Sequence, residues 1–584
     1  MLDIEKAYNK NFAKLNEKLP KPINRFFIKI LQKLFHEKTF NDIYEQNFWK
    51  KDLDFVDSMV ELLNIPYTVK PRELDNIPSS GPLLVITNHI TGASDAFTLV
   101  QLIANHRENR KVKLMVNGML MGVHQAKGLL IPVDNISGNI TKKSLHAINE
   151  ALQNEEAVVI FPAGIVSRLS WRGIRDLPWK ASFLKIARKN DTPILPIRLQ
   201  GRNSIFFYLA SLVLPMKFSG LLLPREFATA SKLPPLRYHI GKVIPPSSFS
   251  EKNITINEYV AIFYEHLYNL GTKKREILQT QTTIIPPTNK MLLKAEIERS
   301  KQLGRTSDNK RIVLADAAHG SCLIRELGRV REISFRAIGG GTGKPRDNDM
   351  YDDYYKHIIL WDDDALEIVG AYRVGEVKEI VDEKGLEGLY THQLCDYNER
   401  FEQYIDKTVE LGRSFVQPKY WGTRALDNLW QGVGAYLAKN PEIIYTYGTV
   451  TINADTPKKA VAALVYFYSR FFLCGEKFMK AKTPYVLSDK QKEEFDALFH
   501  AQTYKENFVI LKQYLKDLGT SVPTLFKQYI ELYEEGAVRF LDFSVNEELH
   551  GVVEGFIIAD NSRMKTSKRK RYIKNFEEVP RLAS

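Results

Sequence analysis

Short apolar runs alternate with amphipathic stretches between residues 82 and 243. The runs LLVIT (83–87), VVIF (158–161) and ILPI (194–197) each end in a loop, and KKSLHAINEAL (142–152) has apolar residues at helical spacing. Buried strands of a parallel sheet read as short apolar runs, and helices connect them. The pattern therefore predicts an α/β domain in the first half of the chain.

A second mixed pattern of strands and helices occupies the other half. The strand-like segments HIIL and EIVGAYRVG lie within residues 357–375, on either side of an acidic turn at 362–364, and a helix-like run follows Trp421. Between the halves, residues 271–290 are polar, rich in threonine and contain Pro286-Pro287. Such a composition is typical of a linker.

The chain of 584 residues is too long for one ordinary hydrophobic core, so we expect two domains. The predicted organisation begins with an N-terminal helical, membrane-docking segment (1–75) and an α/β domain (76–270). A linker (271–300) then leads to a mixed α/β domain (301–584) that ends in a basic tail.

Residues 22–36, PINRFFIKILQKLFH, predict a basic amphipathic helix. Its apolar stripe consists of Ile23, Phe26, Phe27, Ile30, Leu31 and Leu34. A helix of this kind can lie in a membrane interface. A helix packed on its own domain has the same pattern, so both interpretations stay open.

The sequence contains no apolar run of the length that spans a bilayer, about 20 predominantly apolar residues. The most apolar stretch, 205–224, is interrupted by Ser211, Pro215, Lys217 and Ser219. It predicts either an interfacial or a buried segment. We therefore expect a peripheral protein without a transmembrane helix, on the cytoplasmic face of the inner membrane.

The formal net charge of +13 and the pI of about 9.2 favour an anionic partner. Nucleic acid, an acidic protein and an anionic membrane surface all qualify. Residues 563–574 hold seven basic residues and no acidic one, which predicts a solvated tail or a contact with anionic lipid or an acidic carrier protein. No nucleic-acid recognition motif accompanies this charge, so we expect no nucleic-acid partner.

Three cysteines, Cys322, Cys395 and Cys474, lie far apart in the sequence. Their spacing suits neither a zinc site nor a redox pair nor a disulfide framework. We therefore expect no metal, and a reducing cytoplasm is the simplest compartment.

The first candidate site follows the apolar run at 83–87, where a loop carries Asn88, His89 and Asp95. Acyl transfer to a hydroxyl needs a base that takes the proton while oxygen attacks a thioester. Imidazole suits this role because its pKa lies near neutrality. A nearby carboxylate would fix its tautomer and stabilise the imidazolium, although many His–Asp pairs are structural.

A second block, VVIFPAGIVSRLSWRG (158–173), predicts a strand that ends in a tight turn and a basic loop. Arg168 and Arg172 in this loop, together with the following Arg175, suit a phosphate or carboxylate on a substrate. The alternative is a solvated basic loop.

Together the two blocks resemble the lysophospholipid acyltransferase family, whose signature is Asn-His, four residues, Asp, and later Phe-Pro-Glu-Gly. The resemblance covers roughly residues 80–245. It includes GLLIPVD (128–134), TPILPIRLQG (192–201) and YHIGKVIPP (238–246), which match the family's lesser motifs in order.

This resemblance implies a glycerolipid acyltransferase-like α/β domain in which His89 is the base and Asp95 orients it. It also implies that the later block binds the head group of the acyl acceptor. The substrate-binding residues expected on this basis are Phe161, Pro162, Ala163, Gly164, Ser167, Arg168 and Lys180.

The sequence departs from the family signature at two places. Five residues separate His89 from Asp95, one more than the usual spacing, and Gly92 in this loop could absorb the insertion. Ala163 stands where the family has Glu, which suggests an acceptor other than a glycerol phosphate. With DLPWKASFLKIA (176–187), the block resembles the branch that acylates lyso-aminolipids.

A glycine-rich loop at 339–343 invites comparison with a phosphate-binding loop. The P-loop pattern requires glycine at position 338, where Ile338 stands, and Lys344 is followed by Pro345 rather than Ser or Thr. We therefore expect no nucleotide site here.

Residues 325–375 and 410–437 resemble the GNAT-like N-acyltransferases of ornithine-lipid synthesis over roughly 310–560. The resemblance rests on the ordered matches Arg331, Phe335, Arg336, Asp353, Gly370, Tyr372, Arg373 and Glu410-Leu411-Gly412-Arg413, with FLDF (540–543) and VVEGFIIAD (552–560) as the closing segment. It implies that a strand–loop–helix element grips the pantetheine arm of a thioester donor.

N-acylation needs a neutral amine, and Glu410 could accept the amine's proton. Arg331 or Arg413 could bind the amino acid's carboxylate. Arg336 and Asp353 complete the expected substrate-binding set of this half. A fold-stabilising ion pair between Glu410 and Arg413 is the alternative.

The two resemblances together imply a bifunctional ornithine-lipid synthase without a cofactor. The second domain would transfer a 3-hydroxyacyl group from acyl carrier protein to an amino acid, and the first would acylate the hydroxyl of the resulting lyso-aminolipid. The acidic carrier protein and an anionic membrane surface both suit a basic enzyme. Ornithine is favoured by resemblance alone, and glycine, lysine or glutamine stay possible. Two alternatives stay open: a glycerophospholipid acyltransferase whose second domain has another acyl specificity, or one whose second domain only binds a membrane or a partner.

Overall fold

The computed structural model describes residues 4–5, 20–34, 37–117, 123–133, 141–213, 222–251, 253–316, 321–453, 456–473, 477–547 and 551–577. The chain divides into two compact units, Met1–Thr283 and Ile284–Ser584. The division falls inside the segment that the sequence predicts as a linker. Cys474 lies outside the described residues.

Unit 1 alternates strands with helices. Its elements are α1 (Lys21–Leu34), α2 (Glu37–Glu45), α3 (Asp52–Leu62), β1 (Tyr67–Val69), α4 (Pro71–Leu74), β2 (Leu83–Thr87), α5 (Ala93–Asn105), β3 (Val112–Asn117), β4 (Leu130–Val133), α6 (Lys142–Gln153), β5 (Ala157–Ile160), β6 (Arg168–Ser170), β7 (Gly173–Arg175), α7 (Ser182–Lys189), β8 (Ile194–Gln200), α8 (Ile205–Val213), α9 (Leu223–Ala228), β9 (Leu236–Ile240) and α10 (Ile256–Asn269).

The main sheet of unit 1 has the strand order β1-β9-β8-β2-β5-β3-β4. Its pairs are parallel except β8 with β9. All side chains of β2 and β5 are buried because helices cover both faces. Leu83 and Val85 face the core that contains α3 and α5, whereas Leu84 and Ile86 face α6, α7 and α10. The predicted α/β domain is confirmed.

Two helices of unit 1 expose apolar side chains. On α1, Ile23, Phe26 and Ile30 are exposed, while Ile28 is buried. The stretch predicted at 205–224 is described only in part, since residues 214–221 lie outside the described residues. Within it, α8 buries Phe207 but leaves other apolar side chains in solvent, so it is neither wholly buried nor wholly exposed. Among the described helices, none is long and apolar enough to cross a membrane.

Unit 2 is a mixed α/β fold. Its elements are α11 (Lys290–Arg299), β10 (Lys301–Arg305), β11 (Arg311–Asp316), α12 (Cys322–Arg336), β12 (Lys356–Asp362), β13 (Glu367–Glu376), α13 (Val377–Lys384), β14 (Cys395–Tyr397), α14 (Glu402–Ile405), β15 (Thr408–Val416), α15 (Ala425–Lys439), β16 (Tyr445–Ile452), α16 (Lys458–Phe472), β17 (Met479–Ala481), α17 (Asp489–Leu498), α18 (Tyr504–Asp517), α19 (Thr524–Leu532), β18 (Val538–Asn546), β19 (Val552–Asp560), α20 (Thr566–Arg569), a π-helical turn (Lys570–Lys574) and α21 (Asn575–Glu577).

The large sheet of unit 2 has the order β10-β11-β12-β13-β15-β16-β19-β18. Its pairs are antiparallel except β15 with β16, which pair in parallel over Thr408–Leu411 and Tyr445–Gly448. Beyond that point β15 stays paired with β13 and β16 stays paired with β19, but β15 and β16 no longer pair with each other. The two strands separate there. Gly448 is the last residue of β16 that pairs with β15. Only glycine fits there, because a Cβ atom would lie 2.0 Å from the Leu411 carbonyl oxygen.

The basic run at 563–574, predicted as a tail, is a helical segment packed on α15. Tyr572 and Ile573 are buried in the core of unit 2, and the Tyr572 hydroxyl donates to Asp427 at 2.5 Å. The sequence prediction failed because the charge pattern hides this apolar pair. Gly434 permits the contact, since a Cβ there would lie 2.0 Å from the Tyr572 carbonyl oxygen.

Replacing Gly434 with alanine should therefore loosen the C-terminal segment. The added methyl group clashes with backbone, and overpacking of this kind costs about 1–3 kcal/mol of unfolding free energy. Denaturant unfolding and amide exchange over 566–577 would measure the loss. Gly340→Ala is the matched control, because the nearest atom to its Cβ is 3.9 Å away. Equal stability of both variants would contradict this packing.

Candidate active sites

His89 and Asp95 lie together at the start of α5. The distance from Nδ1 of His89 to Oδ2 of Asp95 is 3.2 Å, and Asp95 is buried. The same oxygen accepts hydrogen bonds from the backbone N–H groups of Ile90 at 2.7 Å and Thr91 at 2.9 Å. Gly92 adopts a φ of +86°, which lets the longer loop turn back. The extra residue therefore does not separate the pair.

The sheet and the second block hold His89 in place. The Asn88 side chain bonds to β8, donating to the Leu199 carbonyl at 2.9 Å and accepting from the Leu199 N–H at 2.7 Å. The His89 ring lies against Phe161, with ring centroids 4.1 Å apart. Since Nδ1 faces Asp95, Nε2 is the nitrogen that remains for a substrate.

The charge of Asp95 governs the basicity of His89. Burial acts to lower the pKa of His89, but the Asp95 carboxylate raises it by charge and hydrogen bonding, Asp176 adds to this, and the net shift is upward from 6.5. A stronger base at neutral pH is the consequence.

The FPAG block forms a turn beside this pair. Gly164 adopts a φ of +71°, its N–H donates to the Phe161 carbonyl, and the Pro162 carbonyl accepts from the Lys180 N–H at 3.0 Å. Ala163 is buried, and its methyl group presents no charge to an acceptor. The N–H of Ser167 donates to the His89 carbonyl at 2.5 Å, which ties the block to the loop that carries His89.

Asp176 is a residue that sequence reasoning missed. Its buried carboxylate accepts from the His89 backbone N–H at 3.1 Å, the Ser167 hydroxyl at 2.5 Å and the Trp179 indole at 2.9 Å. Burial raises the pKa of Asp176 to about 6, against the effect of these donors. The signal in the sequence was its position as the sole acidic residue within 168–189.

A basic cavity of about 270 Å³ adjoins Asp176. It is lined by Arg168, Leu169, Ser170, Trp171, Arg172, Arg175, Asp176, Leu177 and Tyr264. All three guanidinium groups lie over aromatic rings, Arg175 over Tyr268 at 4.4 Å, Arg172 over Trp171 at 4.4 Å and Arg168 over Phe207 at 5.4 Å. The cavity suits an anionic group, as the arginine-rich sequence predicts.

In unit 2, the predicted residue Arg331 lies inside a closed ion-pair network. Arg331 is 1% exposed and pairs with Asp347 at 3.1 Å and Asp352 at 2.7 Å. Asp352, rather than the exposed Asp353 that the sequence favoured, is the buried carboxylate. Arg336 likewise pairs with a neighbouring carboxylate and holds the glycine-rich loop. These contacts give Arg331 and Arg336 structural partners in place of a substrate.

Arg413 has a different setting. It sits with a φ of +47° beside a bulge in β15, just past the point where β15 and β16 part. Its guanidinium lies 3.3 Å from Asp349 and 5.1 Å from the centre of the Tyr390 ring. Its Nε has no hydrogen-bond partner among the described residues, although Asp347 lies 3.6 Å away. A strained backbone and an unsatisfied donor are typical of a binding site.

Glu410 is buried and fully engaged. One carboxylate oxygen accepts from the Tyr355 hydroxyl and the Tyr390 N–H, and the other accepts from the Thr391 N–H at 2.9 Å. Among the described residues it forms no ion pair with Arg413, so the alternative of a Glu410–Arg413 pair does not hold. These contacts anchor the 390–391 turn and do not favour the base role predicted for Glu410.

Glu554 on β19 is a second residue that sequence reasoning missed. It is 2% exposed and accepts from the Asn546 amide at 2.8 Å. Its signal was a glutamate inside the otherwise apolar run VVEGFIIA (552–559). Across the described residues, no group of three or more His, Cys, Asp or Glu side chains could hold a metal ion.

Comparison with known proteins gives two family matches on the chain. The family described as "Acyltransferase" matches residues 10–238, and the family described as "Acetyltransferase (GNAT) domain" matches residues 330–431. The two matches fall in unit 1 and unit 2, respectively.

Each individual relative matches at most about half of the chain's length. A Bacteroides thetaiotaomicron protein named glycine N(alpha)-acyltransferase is 35% identical over 50% of this chain and 90% of its own length. A Phocaeicola vulgatus protein named lyso-glycine lipid O-acyltransferase is 27% identical over 46% of this chain and 95% of its own. A Brucella abortus protein named L-ornithine N(alpha)-acyltransferase is 25% identical over 39% of this chain and 73% of its own.

The site chemistry, the two family matches and these relatives agree with the two resemblances read from the sequence. The chain is an enzyme with two acyltransferase domains, and it belongs to the acyltransferase family that includes the Bacteroides thetaiotaomicron protein.

Proposed function

We propose that the chain is a bifunctional aminolipid synthase. Unit 2 N-acylates an amino acid, and unit 1 then O-acylates the hydroxyl of the resulting lyso-aminolipid. The observation that carries this proposal is the presence of both site types on one chain, together with relatives named for each of the two activities.

In the O-acylation, Nε2 of His89 takes the proton of the lyso-lipid hydroxyl as its oxygen attacks the thioester carbonyl. Asp95 holds the opposite ring nitrogen at 3.2 Å and stabilises the imidazolium that forms. The thiolate leaves and receives the proton from His89. The basic cavity beside Asp176 binds the carboxylate of the amino-acid head group.

In the N-acylation, the acyl thioester lies where β15 and β16 part, since the separated strands leave backbone groups that can bind an extended pantetheine arm. Arg413 binds the carboxylate of the amino acid, because its unsatisfied Nε lies just beyond this point. The strained backbone at Arg413 aims the guanidinium towards Tyr390.

We infer that the amino acid is glycine. The relative named for glycine is 35% identical over 90% of its length, against 25% over 73% for the relative named for ornithine. Ornithine, which the sequence resemblance favours, is the second candidate.

The acyl donor in this proposal is acyl carrier protein. A cavity of about 410 Å³ at the start of α15 contains three arginines, Arg305, Arg424 and Arg571, of which Arg571 pairs with Asp427 and Arg305 pairs with Asp363. An acidic carrier protein complements such a surface and would reach it quickly.

The protein is also proposed to act at the cytoplasmic face of the inner membrane. On α8, Ile205, Leu209 and Leu212 are 65%, 61% and 70% exposed, and Trp171 on the neighbouring β6–β7 turn is 88% exposed. Asn203, which precedes α8, donates to the Ile90 carbonyl at 2.8 Å, so this apolar surface adjoins the loop of His89. A bilayer contact here, with α1, would bring lyso-lipid to the site.

The variant His89→Ala should abolish the second acylation alone. Lipid extracts from a heterologous host, analysed by mass spectrometry, should contain diacyl aminolipid with the wild type and accumulated mono-acyl aminolipid with the variant. His146→Ala is the matched control, because this side chain is 83% exposed on α6.

Diacyl aminolipid from the His89→Ala variant would disprove the role of His89. New glycerolipids without any ninhydrin-positive lipid would instead support the alternative of a phospholipid-pathway acyltransferase.

The O-acylation should lose activity as the pH falls through the His89 pKa, which lies above 6.5 because of Asp95. The base must be neutral, so activity is present above that pKa and lost below it. In Asp95→Asn the acid limb should shift to lower pH, while kcat should drop on the order of 10²–10⁴-fold. The pH profile of kcat/KM measures the shift, with the exposed Asp54→Asn as control. An unmoved acid limb would contradict the coupling.

The double variant Leu209→Glu/Leu212→Glu should weaken binding to vesicles that contain phosphatidylglycerol. Each buried leucine contributes about 1.5–3 kcal/mol, so co-sedimentation should fall at least ~10-fold. Val486→Glu/Val509→Glu is the matched control, since both valines are exposed in unit 2. Unchanged binding by the α8 variant would exclude this surface as the membrane contact.

A further inference from the structure

Glu554 is a buried carboxylate held by neutral donors. Its Oε1 lies 3.2 Å from the Thr449 hydroxyl and 3.3 Å from the Thr451 hydroxyl, and its Oε2 accepts from Asn546. Within the described residues, Glu554 forms no ion pair. A buried charge without a counter-ion costs several kcal/mol, so such a group calls for an explanation.

The ion pairs of the same unit's network leave out Glu554. Asp352 pairs with Arg331 at 2.7 Å, and Glu332 pairs with Arg336 at 2.7 Å. These carboxylates are neutralised within the fold, whereas Glu554 is solvated only by two hydroxyls and an amide. A cationic substrate group would supply the direct ion pair that Glu554 lacks.

The register places Glu554 beside the reacting centre of the proposed N-acylation. Thr451 pairs with Glu554 across β16 and β19, in the part of β16 that lies beyond Gly448 and is not paired with β15. Phe556, two residues along the same strand, packs with Tyr447 on one face of the sheet. Glu554 therefore projects from this face, next to the separated strands.

Arg413 and Tyr390 lie within electrostatic reach of Glu554. Burial acts to lower the pKa of Arg413, but Asp347, Tyr390, Asp349 and Glu554 raise it, and the net shift is upward. In an α-amino acid, one carbon separates the carboxylate from the amine. An amino acid whose carboxylate binds Arg413 can thus direct its amine towards Glu554.

We propose that Glu554 binds the ammonium group of the acceptor amino acid and accepts one of its protons. This inference rests on the proposed N-acylation by unit 2. The freed lone pair attacks the thioester carbonyl, the C–N bond forms and the C–S bond breaks. The leaving thiolate takes the second proton from the nitrogen, and Glu554 returns its own proton to solvent.

Glu410 is less suited to this step. Two backbone N–H groups and the Tyr355 hydroxyl already donate to its oxygens, and it lies on the part of β15 that is paired with β16. Glu410 is thus a positioning residue that anchors the turn at Tyr390, the ring against which Arg413 packs.

The test measures N-acylation of glycine by the full chain with a 3-hydroxyacyl group on acyl carrier protein. Glu554→Gln keeps the shape but cannot take a proton, so kcat/KM for glycine at pH 7 should fall about 100-fold or more. The variant must capture the rare neutral amine, so its kcat/KM should rise about tenfold per pH unit and approach the wild type at alkaline pH. Thermal unfolding checks that the variant is folded. Glu493→Gln, on an exposed position of α17, is the matched control and should behave like the wild type.

Full activity of Glu554→Gln at pH 7 would overturn the proposal. So would a loss that alkaline pH does not relieve in a folded variant, or the same alkaline recovery in Glu410→Gln with none in Glu554→Gln. If the wild type acylates no amino acid from this donor or from acyl-CoA, the proposed function and this inference both fail. An active wild type with an unaffected Glu554→Gln removes only the inference.

Discussion

Burying a carboxylate is costly unless donors surround it, and both units use this constraint to fix the loops that bear their chemistry. In unit 1, Asp95 and Asp176 accept hydrogen bonds from backbone N–H groups of the loop that carries His89. In unit 2, Glu410 accepts hydrogen bonds from the backbone N–H groups of the turn at residues 390–391. Each loop would otherwise carry unpaired N–H groups, so the carboxylate and its loop are specified together.

The sequence predicted the strand pattern well where burial alone decides it. LLVIT (83–87) is flanked by helices on both faces, and an apolar run without alternation indicates such a strand. The strands on either side of the 362–364 turn were likewise foreseen. His89 and Asp95 could be placed because they follow a strand end in a loop of recognisable spacing.

The remaining features depend on contacts between distant segments. Asp176 meets His89 across 87 residues, and no local pattern reports such a contact. The C-terminal basic run looked solvated because charge dominates its composition, yet Tyr572 fills a site opened by Gly434. Similarly, composition could not choose between Asp352, which is buried against Arg331, and Asp353, which is exposed.

The proposed pathway has one chemical handle that both sites can recognise. N-acylation removes the charge of the amine but leaves the carboxylate of the amino acid unchanged. Unit 2 offers that carboxylate Arg413, and unit 1 offers it a cavity with three arginines. Ala163 in unit 1 fits this view, because the family's glutamate at this position goes with a glycerol phosphate acceptor and the lyso-aminolipid carries a carboxylate instead. Both steps are then specific for an aminolipid, because both sites bind the same carboxylate of the amino acid.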